Sequence, residues 1–220
     1  MPQIFSPSAD TWLRLCVLAV ALLSGGALMA AGGYAGSTYS DQVGWTQDQP
    51  VPFSHKHHVG DDGIDCRYCH TTVETSARAG LPPTHVCMTC HSQIWTGAQV
   101  LAPVRQSFAT GRPIPWMRVA QVPDFVFFNH SIHVKRGVAC VECHGRIDKM
   151  ALTYRAKPFQ MQWCLDCHRD PAPHLRPAGE VTMMPPPARP DAAARLYGDA
   201  VIRAHHIDLA RLSNCETCHR

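Results

Sequence analysis

The sequence predicts one N-terminal transmembrane helix followed by a region of coil and short helices, and three observations predict this fold class. The 220-residue chain has an uncharged run from Leu15 to Ala31 near its start. Beyond that run, periodic helix and strand patterns are short and weak. The third observation is that the pentapeptide C-x-x-C-H occurs five times and uses ten of the 11 cysteines.

The five pentapeptides have the form of covalent haem c attachment sites. We number them motifs 1 to 5: Cys66–His70, Cys87–His91, Cys140–His144, Cys164–His168 and Cys215–His219. Two thiols three positions apart can add to the two vinyl groups of one haem, and the next histidine then lies beneath the iron. A zinc ribbon or a disulfide framework would explain the cysteine pairs, but neither would require a histidine after every pair.

Five haems on 220 residues must themselves form much of the core, because each haem has only about 44 residues around it. The predicted fold is therefore a haem-packed multihaem cytochrome c, mostly coil with short helices. The cysteines predicted to bind the five haems covalently are Cys66, Cys69, Cys87, Cys90, Cys140, Cys143, Cys164, Cys167, Cys215 and Cys218. The predicted proximal iron ligands are His70, His91, His144, His168 and His219.

Residues 1–36 are predicted to form a cytoplasmic N-terminus and a transmembrane signal anchor. About 20 helical residues span a hydrocarbon core of about 30 Å. A cleaved signal peptide is the alternative, because residues 29–36 are rich in small side chains. Haem c is attached on the outer side of the bacterial cytoplasmic membrane, so the haem region is expected on the periplasmic side. The remaining cysteine, Cys16, is expected to be a buried apolar side chain.

The haem region contains an internal repeat of the pattern F-x-H-x-x-H. Phe53–His58 precedes motifs 1 and 2, and Phe128–His133 precedes motifs 3 and 4. The first histidine of each copy stands 11 or 10 residues before the first C-x-x-C-H of its module. The repeat predicts a linker at 37–52, dihaem module 1 at 53–91, an inter-module segment at 92–127 and dihaem module 2 at 128–170.

Two further segments complete the predicted organisation. Residues 171–199 are expected to form an extended strap, because seven prolines lie between Pro171 and Pro190. Residues 200–220 form a half-module for the fifth haem, since His205 stands 10 residues before Cys215. Within the inter-module segment, 92–108 is expected to form a short helix that Gly111 ends.

Each low-spin haem needs a second axial ligand on its distal side. Of 14 histidines, five lie in the motifs, which leaves nine. Those that follow the repeat are the predicted distal ligands: His55, His58, His130, His133 and His205. The others, His57, His85, His174 and His206, are expected at the surface or near propionates, although His206 competes with His205. A methionine ligand, Met150 or Met161, stays open as an alternative.

The formal net charge of +3 does not indicate a nucleic-acid partner. The propionates of five ferric haems would bring the total to about −2. The basic side chains are more simply explained as partners of those propionates.

Three segments resemble the pentahaem cytochrome c subunit of bacterial alternative complex III. They are FSHKHHVGDDGIDCRYCH at 53–70, LAPVRQSFATGRPIPWMRVAQVPDFVFFNHSIHV at 101–134 and FQMQWCLDCHR at 159–169. The resemblance covers nearly all of the haem region and includes the order of one anchor and then five haems. It implies an electron-transfer subunit, not itself an enzyme, that carries electrons from menaquinol oxidation to a periplasmic carrier or oxidase.

The resemblance also implies partners in a respiratory or photosynthetic membrane complex. These are a large iron–sulfur and molybdopterin-enzyme-like subunit, integral membrane subunits that carry the quinol site, and a monohaem cytochrome c. The location implied is the cytoplasmic membrane, with one membrane-spanning helix and the haem domain on the periplasmic side.

Two other functions are weaker interpretations of the same sequence. A nitrite or hydroxylamine reductase needs an open iron site, often beside a lysine-ligated haem, but the sequence has no C-x-x-C-K. A membrane-anchored multihaem quinol dehydrogenase that feeds a periplasmic reductase would place its first motif close behind the anchor. Here about 35 residues separate Ala31 from Cys66. The order of haem potentials, the haems where electrons enter and leave, and the final acceptor stay open.

Overall fold

A computed structural model describes residues 4–219 of the chain. It divides into two compact units, one ending at Gln42 and the other beginning at Val43. Within residues 4–219, helices, short helical turns and three isolated β-bridges are present, and no strand is formed. The predicted fold class is confirmed in these features. Residues 1–3 of the predicted cytoplasmic N-terminus and residue 220 of the predicted half-module lie outside the described residues.

The first unit consists mainly of helix α1, Ala9–Ala35. Its 27 residues correspond to a length of about 40 Å at 1.5 Å per residue. Its most apolar 18-residue window has a mean hydropathy of 2.2, so the helix is long and apolar enough to cross a membrane. Signal sequences share these features.

The expectation that Cys16 is buried was wrong. Its side chain is exposed on α1, and no residue of this helix is buried within the unit. The first unit holds one long helix, and a single helix cannot bury its own side chains.

The second unit holds the five motifs on short helices joined by coil. Its α-helices are α2 Cys66–Cys69, α3 Thr84–His91, α4 Ala102–Thr110, α5 His130–Lys135, α6 Cys140–His144, α7 Met161–Arg169, α8 Asp191–Ala204, α9 Leu209–Leu212 and α10 Cys215–Cys218. A π-helical turn covers Lys56–Asp61, and 3₁₀ turns cover Gln99–Leu101, Ile147–Lys149, Ala172–His174 and Ala178–Glu180.

The helix predicted in the inter-module segment begins later than expected. Residues 92–98 form turns, with a positive φ of 54° at Trp95, and the helical residues start at Gln99. Helix α4 then runs to Thr110 and ends, as predicted, at Gly111, whose φ of 69° is left-handed. The buried side chains Val51, Leu101, Val104 and Ile114 form a small apolar cluster around this helix.

The proline-rich strap is extended over a shorter stretch than predicted. Helix α8 begins at Asp191 and continues past residue 199, where the strap was expected to end. The reason is local: after Pro190 the sequence DAAARLYGDAVIRA has good helix formers and no further proline. Each of the two 3₁₀ turns of the strap is followed by a fully buried side chain, Leu175 after the first and Val181 after the second.

Candidate haem sites

Each C-x-x-C-H motif begins on a helical turn. The five turns lie in α2, α3, α6, α7 and α10. Residues i and i+3 of a helix share a face, so the two thiols of a motif point to the same side and the next histidine lies close to them. At α2 the N-cap is Asp65, whose side chain accepts from the Arg67 amide at 2.8 Å. Hydrogen bonding to Arg67 lowers the pKa of Asp65 to about 2.

The two copies of F-x-H-x-x-H have the same side-chain geometry. In each copy the phenylalanine ring stacks on the second histidine, with ring centres 4.4 Å apart for Phe53 and His58 and 4.6 Å apart for Phe128 and His133. The same phenylalanine meets the first histidine edge-on, at 4.9 Å for His55 and 4.7 Å for His130. The phenylalanine therefore orients both imidazoles, a role that the sequence analysis did not assign.

The second histidine of each copy is also held by the backbone. His58 Nδ1 lies 2.9 Å from the Ser54 carbonyl, and His133 Nδ1 lies 2.7 Å from the Asn129 carbonyl. Both carbonyls stand four residues earlier in the chain. A carbonyl only accepts, so Nδ1 carries the proton in each case and Nε2 keeps the lone pair that an iron needs.

Eight of the ten candidate iron ligands have a hydrogen-bond partner at Nδ1, which is a backbone carbonyl in seven cases and a hydroxyl for His55. The Nδ1 partners are Thr153 Oγ1 for His55 (2.8 Å), Ser54 O for His58 (2.9 Å), Gly80 O for His70 (2.7 Å), Ile94 O for His91 (3.3 Å), Ala77 O for His130 (2.9 Å), Asn129 O for His133 (2.7 Å), Leu212 O for His168 (3.0 Å) and Phe125 O for His219 (3.2 Å). Metal-ligating histidines commonly donate their second ring nitrogen in this way, which fixes the ring orientation. No sequence signal marks these partners, because seven of the eight are backbone carbonyls, which every residue carries.

Three distal candidates face the proximal histidine of a motif. The ring centres are 6.2 Å apart for His58 and His91 of motif 2, 6.4 Å for His130 and His144 of motif 3, and 6.1 Å for His133 and His168 of motif 4. Two iron–nitrogen bonds of about 2 Å, each with about 1.2 Å from nitrogen to ring centre, would separate two axial imidazoles by about 6.4 Å. The spacing therefore fits an iron between each pair.

For motif 1, His55 lies beside His70. Burial is the largest cause that lowers the pKa of His55 to about 4, and the nearby His70, His144 and His58 lower it further. Burial, with His130 and His70 close by, also lowers the pKa of His144 to about 4. Burial lowers the pKa of His133 as well. These imidazoles are neutral at pH 7, and neutral imidazole is the form that binds a metal.

At the fifth site, the described residues bring neither of the predicted distal candidates against His219. The His219 ring stacks on Phe125, with centres 5.8 Å apart. Within residues 4–219, neither His205 nor His206 makes a ring contact with His219, and both side chains are exposed. His206 has a left-handed φ of 50°, at the turn between α8 and α9. The choice between His205 and His206 stays a prediction.

Among the remaining candidates, the His57 ring contacts the ring of His58, with ring centres 5.4 Å apart. His57 is exposed and faces Asp61 and Asp62, with nitrogen–oxygen distances of 3.8 and 3.5 Å. His85 is exposed on α3, whereas His174 contacts Glu142 at 3.0 Å. Of the two methionines, Met150 is buried and Met161 is exposed. Neither position identifies a methionine ligand.

The side chains alone build only a thin core in the haem region. The buried apolar residues among those described are aliphatic, and none is aromatic. The motif thiols are all free, and no group of three or more metal-ligand side chains suited to zinc forms within residues 4–219. The imidazole pairs leave room for one iron between their rings, the motif thiols are free, and few side chains are buried. These features fit covalent haem better than a zinc ribbon.

Two comparisons with known proteins agree with this chemistry. A model of the cytochrome c552 family matches residues 112–183. The multihaem cytochrome c subunit of a menaquinone reductase from Nitratidesulfovibrio vulgaris (strain Hildenborough) is 37% identical over 99 residues, which cover 44% of this chain. The match spans 46% of that relative, about half of its length. Together with the motifs, these similarities support a multihaem cytochrome c that binds haem covalently.

Proposed function

We propose that this chain is the electron-transfer subunit, with five covalent haems c, of a quinol-oxidising complex of the alternative complex III type. Haem supplies a carrier of one electron at each motif. The two thiols of each motif would hold one haem, and histidines would be the ligands on both sides of its iron. An iron with two histidine ligands would have no open position for a substrate, which favours an electron carrier over an enzyme.

The observation that carries this proposal is the set of histidine pairs. His58 with His91, His130 with His144 and His133 with His168 stand at the separation that two axial imidazoles require. Most of these rings have their Nδ1 committed to a carbonyl, so Nε2 is left for the metal. An enzyme of the nitrite-reductase kind would instead need a vacant position on one iron.

The proposal includes a membrane location with the haem domain on the periplasmic side. Helix α1 can anchor the chain beside integral membrane subunits that carry the quinol site. The iron–sulfur and molybdopterin-enzyme-like subunit and the monohaem cytochrome c would then be neighbours of the haem domain. These partners rest on the resemblance of residues 53–70, 101–134 and 159–169.

A second candidate is a relay toward menaquinone. The relative from Nitratidesulfovibrio vulgaris is named as a subunit of a menaquinone reductase, which carries electrons in the opposite direction. A redox titration of the native complex separates the two. Haem potentials mostly above that of the menaquinone couple favour quinol oxidation, whereas potentials mostly below it favour quinone reduction.

Electron paramagnetic resonance of the oxidised full-length protein tests the electron-carrier function. We expect only low-spin ferric signals and no reaction with carbon monoxide after reduction. A stoichiometric high-spin haem that binds carbon monoxide or nitrite would overturn the carrier function and favour a reductase.

A further inference from the structure

We propose that the five haems lie in the spatial order of motifs 2, 1, 3, 4 and 5, which differs from their order along the chain. The haems of motifs 2 and 5 then form the two ends, and the haem of motif 1 is internal. This inference rests on the proposed electron-carrier function and extends it to the route that electrons take. It follows from the contacts that join each motif to its neighbours.

Motifs 1 and 2 are in direct contact. The Tyr68 hydroxyl of motif 1 lies 2.8 Å from the Thr89 hydroxyl of motif 2. The two distal candidates for these motifs, His55 and His58, stand within one helical turn of each other and share the Phe53 ring. The haems of motifs 1 and 2 are therefore neighbours.

Motifs 1 and 3 are also joined, although about 70 residues of chain separate them. The Cys140 amide donates to the Val181 carbonyl at 3.0 Å, and the Cys66 thiol lies 3.8 Å from the carbonyl of the next residue, Thr182. The first cysteines of the two motifs, Cys140 through its amide and Cys66 through its thiol, are thus held against consecutive residues of the strap.

Contacts made by the distal histidine candidates also bring motifs 1 and 3 together. His130, which faces the proximal His144 of motif 3, contacts Ala77 just after motif 1. Its amide and its Nδ1 both meet the Ala77 carbonyl, at 3.1 and 2.9 Å. His55 extends toward module 2 in return, with its Nδ1 2.8 Å from Thr153 Oγ1. Motif 1 therefore has motif 2 on one side and motif 3 on another.

Two further links complete the order. Helix α5 joins motifs 3 and 4, because His130 faces His144 and His133 faces His168. Motif 4 meets the last half-module where His168 Nδ1 lies 3.0 Å from the Leu212 carbonyl in α9, three residues before Cys215.

The inter-module segment covers the two ends. On the motif 2 side, Cys87 and Met88 pack against the apolar cluster of Val51, Leu101, Val104 and Ile114. On the motif 5 side, the Cys218 carbonyl accepts from the Phe127 amide at 2.8 Å, and His219 stacks on Phe125. Each terminal motif therefore has one motif and the inter-module segment as its neighbours. An internal motif has a motif on both sides.

Magnetic coupling between ferric haems tests the order in the full chain. His58→Met marks the motif 2 haem with a histidine–methionine signal that differs from those of bis-histidine haems. In that background, Cys66→Ser with Cys69→Ser removes the motif 1 haem and should leave the marked signal sharp and uncoupled. Removal of the motif 3 haem by Cys140→Ser with Cys143→Ser should leave it coupled. Intact mass confirms four remaining haems in each variant.

The order along the chain predicts a different result. There the motif 2 haem would lie between those of motifs 1 and 3, so neither removal would uncouple the marked signal, and that result would overturn our order. If a variant that lacks one haem fails to fold, an experimental structure of the wild-type protein with its haems decides the order from the iron positions. An iron of motif 2 nearer to that of motif 3 than to that of motif 1 overturns it.

Failure of the order is distinguishable from failure of the proposed function. Five low-spin haems with another coupling pattern would overturn the order and leave the electron carrier intact. A high-spin haem that binds nitrite in the wild-type protein would overturn the carrier itself.

Discussion

At the residue scale, one aromatic ring organises two imidazoles in each module. Phe53 stacks on His58 and meets His55 edge-on, and Phe128 repeats this arrangement on the two histidines of module 2. The phenylalanine meets the first ring edge-on and stacks on the second, so the two imidazoles of a copy have different orientations. In module 2 they face the proximal histidines of two different motifs, His144 and His168.

Substitution of each histidine in module 2 should alter a different haem. We expect His130→Ala to leave the motif 3 haem five-coordinate and His133→Ala to do so for the motif 4 haem, because their rings face His144 and His168 respectively. Each affected haem should gain a high-spin signal and a higher potential, while all five haems stay covalently attached. Optical and magnetic-resonance spectra, with intact mass, measure these changes.

His57→Ala is the control, since this exposed ring lies in module 1, where it contacts His58 and faces carboxylates. The signals of the motif 3 and motif 4 haems in this variant should equal those of the wild type. The ligand assignment fails if both test variants perturb the same haem, or if His133→Ala changes none.

A second prediction at this scale concerns the ion pair of His174 and Glu142. Hydrogen bonding to Glu142 raises the pKa of His174 above 6.5, and the same bond lowers the pKa of Glu142 below 4.5. Asp170 and Lys157 also act on His174, in opposite directions. The stabilisation is present below the unfolded histidine pKa and is lost as the pH rises through the raised folded value. The stabilisation is also lost as the pH falls through the lowered pKa of Glu142.

His174→Gln should therefore lower the free energy of unfolding at pH 5.5 by up to about 1 kcal/mol, because the pair is half-exposed. The difference from the wild type should shrink by pH 9, where His174 is neutral. Denaturant unfolding at the two pH values measures it. His85→Gln, on an exposed histidine, should show no such dependence, and an equal loss at both pH values for His174→Gln would contradict the ion-pair explanation.

At the element scale, helix α8 closes the last part of the haem region by packing on the 3₁₀ turn Ala172–His174. The contact is backbone to backbone at Gly198, where an added Cβ would overlap the Ala172 carbonyl. Arg195 fixes the same helix through two hydrogen bonds to Asp170, at 2.8 and 2.7 Å. The absence of a side chain at Gly198 sets how closely α8 can approach.

Gly198→Ala should destabilise the protein by about 1–3 kcal/mol, because the helix must move away to relieve the overlap. Alanine has the better helix propensity, so a helix without this contact would gain stability from the same change. Thermal or denaturant unfolding decides between the two. Gly179→Ala is the control, since nothing lies within 4 Å of its added Cβ. An unchanged or raised stability of Gly198→Ala would show that the close packing of α8 is not required.

At the scale of the whole molecule, the chain combines an apolar helix with a region that has few buried side chains. Helix α1 buries nothing within its own unit. In the second unit, buried apolar residues are scattered, with one small cluster at Val51, Leu101, Val104 and Ile114. Membrane lipid and covalent haem are the two apolar surroundings that would complete these parts.

The intact protein is therefore expected to keep its anchor and carry five haems. Mass spectrometry should return the full chain plus five groups of about 616 Da each, the mass of one haem. The protein should fractionate with membranes and require detergent for release. A version with residues 1–36 replaced by a cleavable signal peptide is the control and should be soluble with the same five haems. Loss of about 30 N-terminal residues from the full-length protein would show that the segment is a removed signal peptide.

The sequence alone determined the parts of the sites that are local in the chain. The motifs specify thiols on one helical turn with an adjacent histidine, and the two copies of F-x-H-x-x-H identify the histidines that supply distal candidates. The uncharged run specifies the long apolar helix. These features depend on spacings of a few residues, so helical geometry is sufficient to interpret them.

Only the tertiary structure decided which residues distant in the chain come together. It placed His130 against Ala77, set Cys66 and Cys140 on consecutive carbonyls of the strap, and aimed most of the ligand Nδ1 atoms at backbone oxygens. It also extended α8 into the predicted strap and left Cys16 exposed. Backbone carbonyls are common to every residue, and contacts across many tens of residues leave no local pattern. The spatial order of the motifs therefore could not be read from their order in the chain.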